Sequence, residues 1–253
     1  MTREPYGTLA SVYEWLLPEA LLTPEGAVAA FAEHIAALEA GARVLDCAAG
    51  TGLLAVGLVL RGFEVVASDA SGAMLERASR LAADYGIDLP VVVARWDQLV
   101  QQGWTAPFEA VFCVGNSLAH APGRVARRAA LRQMAAVLRP GGLLVLTSRN
   151  WEQVREKGSG LSVADELVER RGERGLVVHG WTIPEGWDEP HEVDVAVALI
   201  DGTGRVTSHG ERLSFWPFRH EDLDADLRAA GLVPISSTYD PQVERYLVTA
   251  GSL

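Results

Sequence analysis

An acidic residue followed by a glycine turn carries the strongest chemical signal in the sequence. Asp46 ends an apolar segment, and Gly50 and Gly52 follow before the next apolar segment begins. Glycine is needed where a ligand approaches the backbone closely or where φ is positive. A carboxylate just before such a turn disfavours a phosphate and suits an ammonium or sulfonium cation. Asp69 ends the following apolar segment, where its carboxylate can accept hydrogen bonds from ribose hydroxyls.

A dinucleotide-binding loop is the main alternative interpretation of these residues. Its G-x-G-x-x-G fingerprint places three glycines around a pyrophosphate at the N-terminus of a helix. The first and third of those glycines cannot both be matched in the run from Asp46 to Gly52. The pattern therefore favours S-adenosylmethionine, which has two cationic groups and no phosphate. An NAD-dependent oxidoreductase and a non-catalytic nucleoside-binding protein are the remote alternatives.

Alternating strands and helices are predicted to position these residues. The apolar runs predict strands at Arg43–Ala48, Glu64–Asp69, Pro90–Trp96, Phe108–Gly115 and Leu143–Ser148. Helical spacing predicts helices at Leu53–Arg61, Gly72–Tyr85 and Arg124–Leu138, with Ser71 as an N-cap, Gly86 as a terminator and a turn at Pro140–Gly142. Because this order is typical of a parallel sheet covered on both faces, we predict an α/β fold with a Rossmann-like sheet flanked by helices.

The pattern changes after the fifth strand. Extended segments are predicted at Leu176–Ile183, Val193–Ile200 and Arg205–Phe215, with a hairpin turn at Asp201-Gly202. A helix at Glu221–Ala230 and a hairpin of Leu232–Tyr239 with Arg245–Thr249 would complete a seven-stranded sheet. The predicted organisation is an N-terminal lid with helices at 1–40, a nucleoside-binding core at 41–150, an antiparallel β insertion on the substrate side at 151–217, and a closing helix with a C-terminal β hairpin at 218–253.

Composition excludes several classes of function. The formal net charge of −11 repels phosphate backbones, which argues against a nucleic-acid partner. No segment has the length and apolarity of a membrane span or of a signal peptide, so we expect a cytoplasmic protein without a membrane partner. Cys47 and Cys113 lie in predicted buried strands, and the six histidines lack metal-ligand spacing, so no metal is expected. The expected partner is a small molecule, and the sequence allows a homo-oligomer.

Three motifs together resemble a known enzyme family. The form D-x-x-x-G-x-G from Asp46 to Gly52 resembles the first motif of class I S-adenosylmethionine-dependent methyltransferases. The segments GNSLAH at 115–120 and GGLLVLTSRN at 141–150 are similar to glycine N-methyltransferase and its bacterial relatives. The resemblance covers nearly the whole chain. It implies S-adenosylmethionine as cofactor, S-adenosylhomocysteine as product, and N-methylation of an amine or amino acid.

The resemblance also implies roles for individual residues. Met74 and Trp96 would contact the adenine, and Val114 with His120 would lie near the methionine part. The expected cofactor-binding residues are Tyr13, Asp46, Ala48, Gly50, Gly52, Asp69, Ala70, Met74, Trp96, Asp97, Val114 and His120. The expected substrate-binding residues are Tyr6, Asn116, Arg149 and Trp181, and the expected catalytic residues are Asn116, His120 and Arg149.

Chemistry supports the roles assigned on the acceptor side. The planar fork of donors on Arg149 matches a carboxylate. The side-chain carbonyl of Asn116 could orient the lone pair of an amine. A phenol or carbon acceptor would instead need a base, for which His120 is the best candidate. Tyr6 and Tyr13 belong to a segment that resembles the N-terminal lid of many small-molecule methyltransferases, and such a lid would exclude water.

Two departures from the family pattern argue against glycine itself as the acceptor. No arginine lies between Tyr13 and Phe31, where the family clamps the methionine carboxylate, and Trp151 stands where a tyrosine is usual. The insertion also contributes five aromatic residues that would suit a larger acceptor if they face the cleft, namely Trp181, Trp187, Phe215, Trp216 and Phe218. The alternative function is therefore an O- or C-methyltransferase that modifies a larger aromatic or natural-product intermediate.

Overall fold

The computed structural model describes residues 6–164 and 166–253, which form two β-sheets and their flanking helices. The strands are β1 Arg43–Asp46, β2 Glu64–Asp69, β3 Val91–Val93, β4 Phe108–Cys113, β5 Leu138–Arg149, β6 Gly160–Val163, β7 Val168–Arg170, β8 Glu173–Thr182, β9 His191–Ile200, β10 Val206–Phe215, β11 Leu232–Ser237 and β12 Arg245–Ser252. The α-helices are α1 Pro24–Ala29, α2 Ala32–Ala36, α3 Leu53–Leu60, α4 Gly72–Asp84, α5 Gly123–Val137, α6 Trp151–Lys157 and α7 His220–Ala229. A 3₁₀ helix at Ala10–Leu16 precedes them.

The larger sheet has seven strands in the order β11-β12-β5-β4-β1-β2-β3. Strands β1 to β5 pair in parallel. Strand β12 is antiparallel to β5, and β11 is antiparallel to β12. This arrangement confirms the predicted Rossmann-like α/β fold and its closing hairpin.

The strand order reverses at β1, and this reversal positions the candidate site. The chain runs from β1 to β2 and β3 on one side, then returns to β4 and β5 on the other. Because successive connections diverge there, a crevice opens at the carboxyl ends of β1 and β4. Asp46, Asp69 and Arg149 are the last residues of β1, β2 and β5, and Asn116 lies in the loop after β4.

Local signals explain where several elements begin and end. Ser71 caps α4, since its Oγ accepts a hydrogen bond from the backbone N–H of Met74 at 3.3 Å. The predicted turn after α5 lies inside β5, where Gly141 has φ +72°. The register jumps there, because Phe108 pairs with Leu138 whereas Ala110 pairs with Leu143. The turn is therefore a bulge within a longer strand.

The smaller sheet is an antiparallel insertion between α6 and α7. Its strands run in the order β10-β9-β8-β6, and β7 also pairs with β8. The Asp201 side chain closes the predicted hairpin, since its Oδ1 accepts from the backbone N–H groups of Thr203 at 2.8 Å and Arg205 at 3.0 Å. The sequence prediction missed α6, β6 and β7. All four residues of β6 are exposed, so that strand has no alternation of apolar and polar residues to reveal it.

Membrane-spanning helices and clustered metal ligands are both absent from residues 6–164 and 166–253. No helix there is long and apolar enough to cross a membrane. No group of three or more His, Cys, Asp and Glu side chains is arranged to hold a metal ion in that part of the chain. Cys47 and Cys113 are buried free thiols.

A buried carboxylate joins α5 to α7 behind the sheet. The side chain of Asp226 is 0% exposed, and its oxygens accept hydrogen bonds from the Nε atoms of Arg124 at 2.9 Å, Arg127 at 2.9 Å and Arg128 at 2.6 Å. Burial alone would raise the pKa of Asp226, but these arginines hold it below its ordinary value. One buried carboxylate thus pairs with all three arginines of this cluster.

We predict that Asp226→Ala lowers the free energy of unfolding by about 3–5 kcal/mol, because it leaves the buried Arg127 unpaired. Asp224→Ala is the control, since Asp224 forms only an exposed pair with Arg228. The lowered pKa of Asp226 means that its contribution is present above the unfolded pKa and is lost as the pH falls through the folded one. Urea unfolding at several pH values measures both effects. Equal losses in the two variants would contradict the prediction.

Candidate active site

The carboxylate of Asp69 joins the two loops that form the floor of the site. Its Oδ2 accepts a hydrogen bond from the backbone N–H of Gly50 at 2.9 Å. Its Oδ1 accepts from the backbone N–H of Ser71 at 2.8 Å. The loop after β1 and the start of α4 are thereby held together around one negative charge.

The two glycines of the 46–52 run serve different purposes. Gly52 has φ +84°, and a Cβ there would lie 2.7 Å from the Cβ of Ala78, so glycine lets the loop pack directly on α4. Gly50 has φ +52°, but a Cβ there would meet no atom within 4 Å. Open space therefore adjoins the backbone at Gly50, where a ligand can approach closely.

Asp46 is a buried carboxyl group at the end of β1. Its Oδ1 accepts a long hydrogen bond of 3.4 Å from the backbone N–H of Ala48. Among the described residues, no basic side chain lies within ion-pair distance of it. Burial and, to a smaller extent, the charge of Asp69 together raise its pKa to about 7 against the lowering effect of the Ala48 hydrogen bond. A cationic ligand beside Asp46 would restore its ionised form.

Trp96, Met74 and Ala70 are three further residues expected to bind the cofactor, and the first two are expected to contact its adenine. The indole Nε1 of Trp96 donates to the carbonyl oxygen of Cys47 at 2.8 Å, which places the ring against the loop. Met74 is buried in the first turn of α4. Ala70 is exposed directly after Asp69.

Asp97 and Val114 are two further residues expected to bind the cofactor. The carboxylate of Asp97 is exposed and forms an ion pair with Arg95 at 3.3 Å. Val114 is partly buried and directly follows β4. The roles of both residues stay predictions.

Asn116 connects the ends of β4 and β5. It is buried and has φ +68°, a left-handed conformation that asparagine adopts more readily than most residues. Its Oδ1 accepts a hydrogen bond from the backbone N–H of Arg149 at 2.9 Å. The amide therefore positions the Arg149 backbone, in addition to any contact with an acceptor.

The guanidinium of Arg149 is a half-buried cation at the end of β5. Its Cζ lies 5.7 Å from the ring centroid of Trp181. In residues 6–164 and 166–253, no carboxylate oxygen lies within 4 Å of its nitrogens. Burial and, to a smaller extent, the charge of Arg245 lower its pKa to about 10, while Tyr6 and Glu244 act in the opposite direction. Arg149 is still cationic at neutral pH and can bind an anion.

His120 uses both ring nitrogens in contacts within the protein. Its Nδ1 lies 3.1 Å from the carbonyl oxygen of Ser214 and must therefore carry the proton. Its Nε2 lies 3.1 Å from the hydroxyl of Tyr6, so in this tautomer it accepts the hydrogen bond. Burial lowers the pKa of His120 to about 4, which keeps the ring neutral.

The N-terminal segment covers these residues and is anchored by the insertion. The rings of Tyr6 and Tyr13 meet edge to face at 5.5 Å. The Oε2 of Glu211 on β10 accepts from the backbone N–H and Oγ1 of Thr8 at 2.9 and 2.8 Å, and from the backbone N–H of Leu9 at 3.3 Å. Arg170 donates to the carbonyl oxygens of Glu14 and Leu17.

Sequence reasoning missed Glu211, although a signal was present. Along β10 the buried face carries Glu211, Leu213 and Phe215 at alternate positions. A carboxylate in an apolar series of period two is costly to bury unless it has partners. That exception could have identified Glu211 as an anchor.

The aromatic residues of the insertion divide into two groups. Trp181 lies beside Arg149, and the ring centroid of Phe215 lies 4.4 Å from that of His120. The others pack elsewhere, with Trp187 near Arg155 and Arg219, Phe218 near Arg127, and Trp216 beside Gly123. Of the five aromatic residues, Trp181 and Phe215 adjoin candidate site residues, and a contact of either with an acceptor stays a prediction.

Comparison with known proteins identifies the family. Residues 44–142 match the sequence model of a methyltransferase domain. Glycine N-methyltransferase from Mus musculus is 32% identical in an alignment of 202 positions that covers 74% of this chain and 68% of that protein. The chain belongs to the class I S-adenosylmethionine-dependent methyltransferases.

Two further comparisons show how much of this methyltransferase matches a relative in sequence and a solved structure in fold. Glycine/sarcosine N-methyltransferase from Parasynechococcus marenigrum is 40% identical over 161 residues, or 63% of this chain, so the match spans about half (52%) of that relative. CalS10 is an amino pentose methyltransferase from Micromonospora echinaspora whose structure contains S-adenosylmethionine. Its match to this chain covers 100% of both chains, with a TM-score of 0.76 and 23% identity. The predicted family, fold, enzyme class and cofactor are confirmed, whereas the roles of individual residues stay predictions.

The described residues of this methyltransferase fit S-adenosylmethionine. Open space adjoins Gly50, and the buried Asp46 lacks a basic partner among them. The carboxylate of Asp46 would face a cationic group of the cofactor, and that of Asp69 would accept hydrogen bonds from its ribose hydroxyls. When bound, the cofactor supplies a methyl group that is activated by the positive charge on sulfur.

We predict that S-adenosylmethionine binds more tightly as the pH rises from about 6 to about 8, because the pKa of Asp46 is about 7 and the cation favours the ionised carboxylate. Binding at pH 7 should therefore release about half a proton. Calorimetric titration in buffers of different ionisation enthalpy measures this release. Asp46→Asn should weaken binding and abolish the release, whereas the exposed Asp84→Asn should change neither. Unchanged proton release in Asp46→Asn would exclude this role.

Proposed function

We propose that this methyltransferase methylates the nitrogen of a small amine or amino acid. The observation that carries the proposal is the double engagement of His120. Its Nδ1 donates to the Ser214 carbonyl and its Nε2 accepts from Tyr6, so the best candidate base is occupied. Phenol and carbon acceptors require such a base, whereas an unprotonated amine already carries the attacking lone pair.

Tyr6 does not replace His120 as a base. Burial raises its pKa well above the ordinary value, so the hydroxyl stays protonated. The same burial disfavours a charged amine at this position, and a bound amine is thus held in its reactive neutral form. As the new N–C bond forms and the S–C bond breaks, positive charge moves to nitrogen, and the surplus proton then leaves to solvent.

Arg149 supports an acceptor that carries a carboxylate. Its guanidinium forms no ion pair within the described residues, and the amide of Asn116 fixes its backbone. Orientation is the main contribution that a protein makes to such a displacement, and a bidentate contact provides it. The relatives named glycine and glycine/sarcosine N-methyltransferases support both an amine and an amino acid as acceptor.

We predict that Arg149→Ala lowers kcat/KM for amino-acid acceptors by about 10- to 150-fold, the usual strength of hydrogen bonds between charged groups. Amines without a carboxylate should be affected much less. Formation of S-adenosylhomocysteine, measured over a panel of matched amines and amino acids, tests this difference. Arg61→Gln, at the exposed end of α3, is the control. Equal activity of Arg149→Ala on every carboxylate acceptor would contradict the role.

We predict that His120→Ala raises the KM for S-adenosylmethionine more than it lowers kcat, because the variant loses the anchor of Tyr6. Tyr6→Phe should reproduce that change. Since the pKa of His120 is about 4, the wild-type pH profile of kcat should show no inflection from this residue near 6.5. A fall in kcat of about 100-fold or more would instead favour base catalysis and the O- or C-methyltransferase alternative. Trp181 and Phe215 would then form the wall for a larger acceptor.

A further inference from the structure

We propose that Arg149 and Arg245 form a two-part anion subsite, and that the acceptor carries a second acidic group beyond the carboxylate held by Arg149. This inference rests on the proposed N-methylation and names the class of its substrate. The acceptor would be an amino acid with a carboxylate or phosphate on its side chain.

The register of β5 and β12 places the two arginines together. These strands are antiparallel, and Arg149 pairs directly with Arg245. Residues directly opposite each other in such a ladder point to the same face of the sheet, with Cβ atoms about 4.5–5.5 Å apart. Both side chains therefore leave the sheet on the same face, next to each other at the edge of the site.

Neither arginine of this pair forms an ion pair with an acidic side chain in residues 6–164 and 166–253. Neither guanidinium has a carboxylate oxygen within 4 Å there. The exposed carboxylate of the adjacent Glu244 pairs with Lys157, whose Nζ lies 2.8 Å from Oε1. The charge of Glu244 acts on Arg149 and Arg245 only from a greater distance. Like charges placed directly opposite each other destabilise a sheet. The effect is visible at Arg149, whose pKa is lowered by burial and then by the charge of Arg245.

The arginine cluster on α5 shows the contrasting arrangement in the same protein. There the fold supplies a buried carboxylate, Asp226, which accepts hydrogen bonds from every member of the cluster. At Arg149 and Arg245 the fold supplies none among the described residues. An anion bound from solution would provide the missing charge, and sites that sacrifice stability in this way are commonly functional.

The location of the pair connects it to the acceptor side of the site. Arg149 contacts the Trp181 ring and lies close enough to Tyr6 to influence its pKa. Arg245 lies near Tyr13, because its charge opposes the rise that burial and Asp69 cause in the pKa of that residue. Both cations therefore adjoin the N-terminal segment that covers the site. Each guanidinium can bind one anionic group in a bidentate geometry.

The kinetic test compares acceptors that differ only in the second acidic group. Glycine and alanine represent monocarboxylates, aspartate and glutamate represent dicarboxylates, and O-phosphoserine represents a phosphate. Arg245→Gln should lower kcat/KM for the acidic acceptors about 10- to 100-fold and leave the monocarboxylates nearly unchanged. Arg61→Gln should alter neither group. The ratio of aspartate to O-phosphoserine activity in the wild type decides between carboxylate and phosphate.

A second measurement does not depend on turnover. Without ligand, Arg245→Gln should unfold about 1–3 °C higher than the wild type, because it removes the repulsion. Succinate, used as a dicarboxylate probe with S-adenosylhomocysteine present, should raise the unfolding temperature of the wild type and not of Arg245→Gln. A lower unfolding temperature without ligand, together with an equal response to succinate, would overturn the subsite.

The outcomes separate this inference from the proposed reaction. If amino acids are methylated but Arg245→Gln leaves the preference between acidic and neutral acceptors unchanged, the subsite is wrong and N-methylation stands. If no amine is methylated while succinate still stabilises the wild type alone, the subsite stands and the proposed reaction is wrong.

Discussion

The geometry of the site depends on the carboxylate of Asp69. Parallel strands β1 and β2 hold Asp46 opposite Ala67, but the loops beyond them diverge toward different helices. By accepting the N–H groups of both Gly50 and Ser71, Asp69 keeps those loops together. The absence of a side chain at Gly52 then allows the loop to pack on α4. One carboxylate thus organises the two loops that form the floor of the candidate site.

Buried polar contacts join the N-terminal segment to the insertion. Glu211 on β10 accepts hydrogen bonds from the first turn of the segment, and Arg170 at the end of β7 donates to its later carbonyls. His120 links Tyr6 to the Ser214 carbonyl on β10. Partners of this kind are costly to leave unsatisfied when buried. The shape of the acceptor side therefore depends on elements more than 150 residues apart in the chain.

The core could be predicted because its signals are local. The spacing from Asp46 to Gly52, the cap at Ser71 and the alternation of apolar runs need only short stretches of sequence. The acceptor side depends on tertiary contacts instead. Trp181 and Trp187 look equivalent in the sequence. Trp181 lies beside Arg149, whereas Trp187 contacts two other arginines, Arg155 and Arg219. The pairing of Arg149 with Arg245 likewise depends on strand register, which no local pattern specifies.

Opposite charges at the two sides of the crevice would orient the proposed reaction. Asp46 and Asp69 end β1 and β2, whereas the two arginines lie on β5 and β12, and β4 separates these pairs in the sheet. Because neighbouring strands are about 4.8 Å apart, the carboxylate and arginine ends lie roughly 10 Å or more from each other. A cationic donor and an anionic acceptor held by these ends would meet above β4, where Asn116 lies. Such an arrangement aligns the reacting atoms without a protein nucleophile, which is sufficient because the donor already carries the activation.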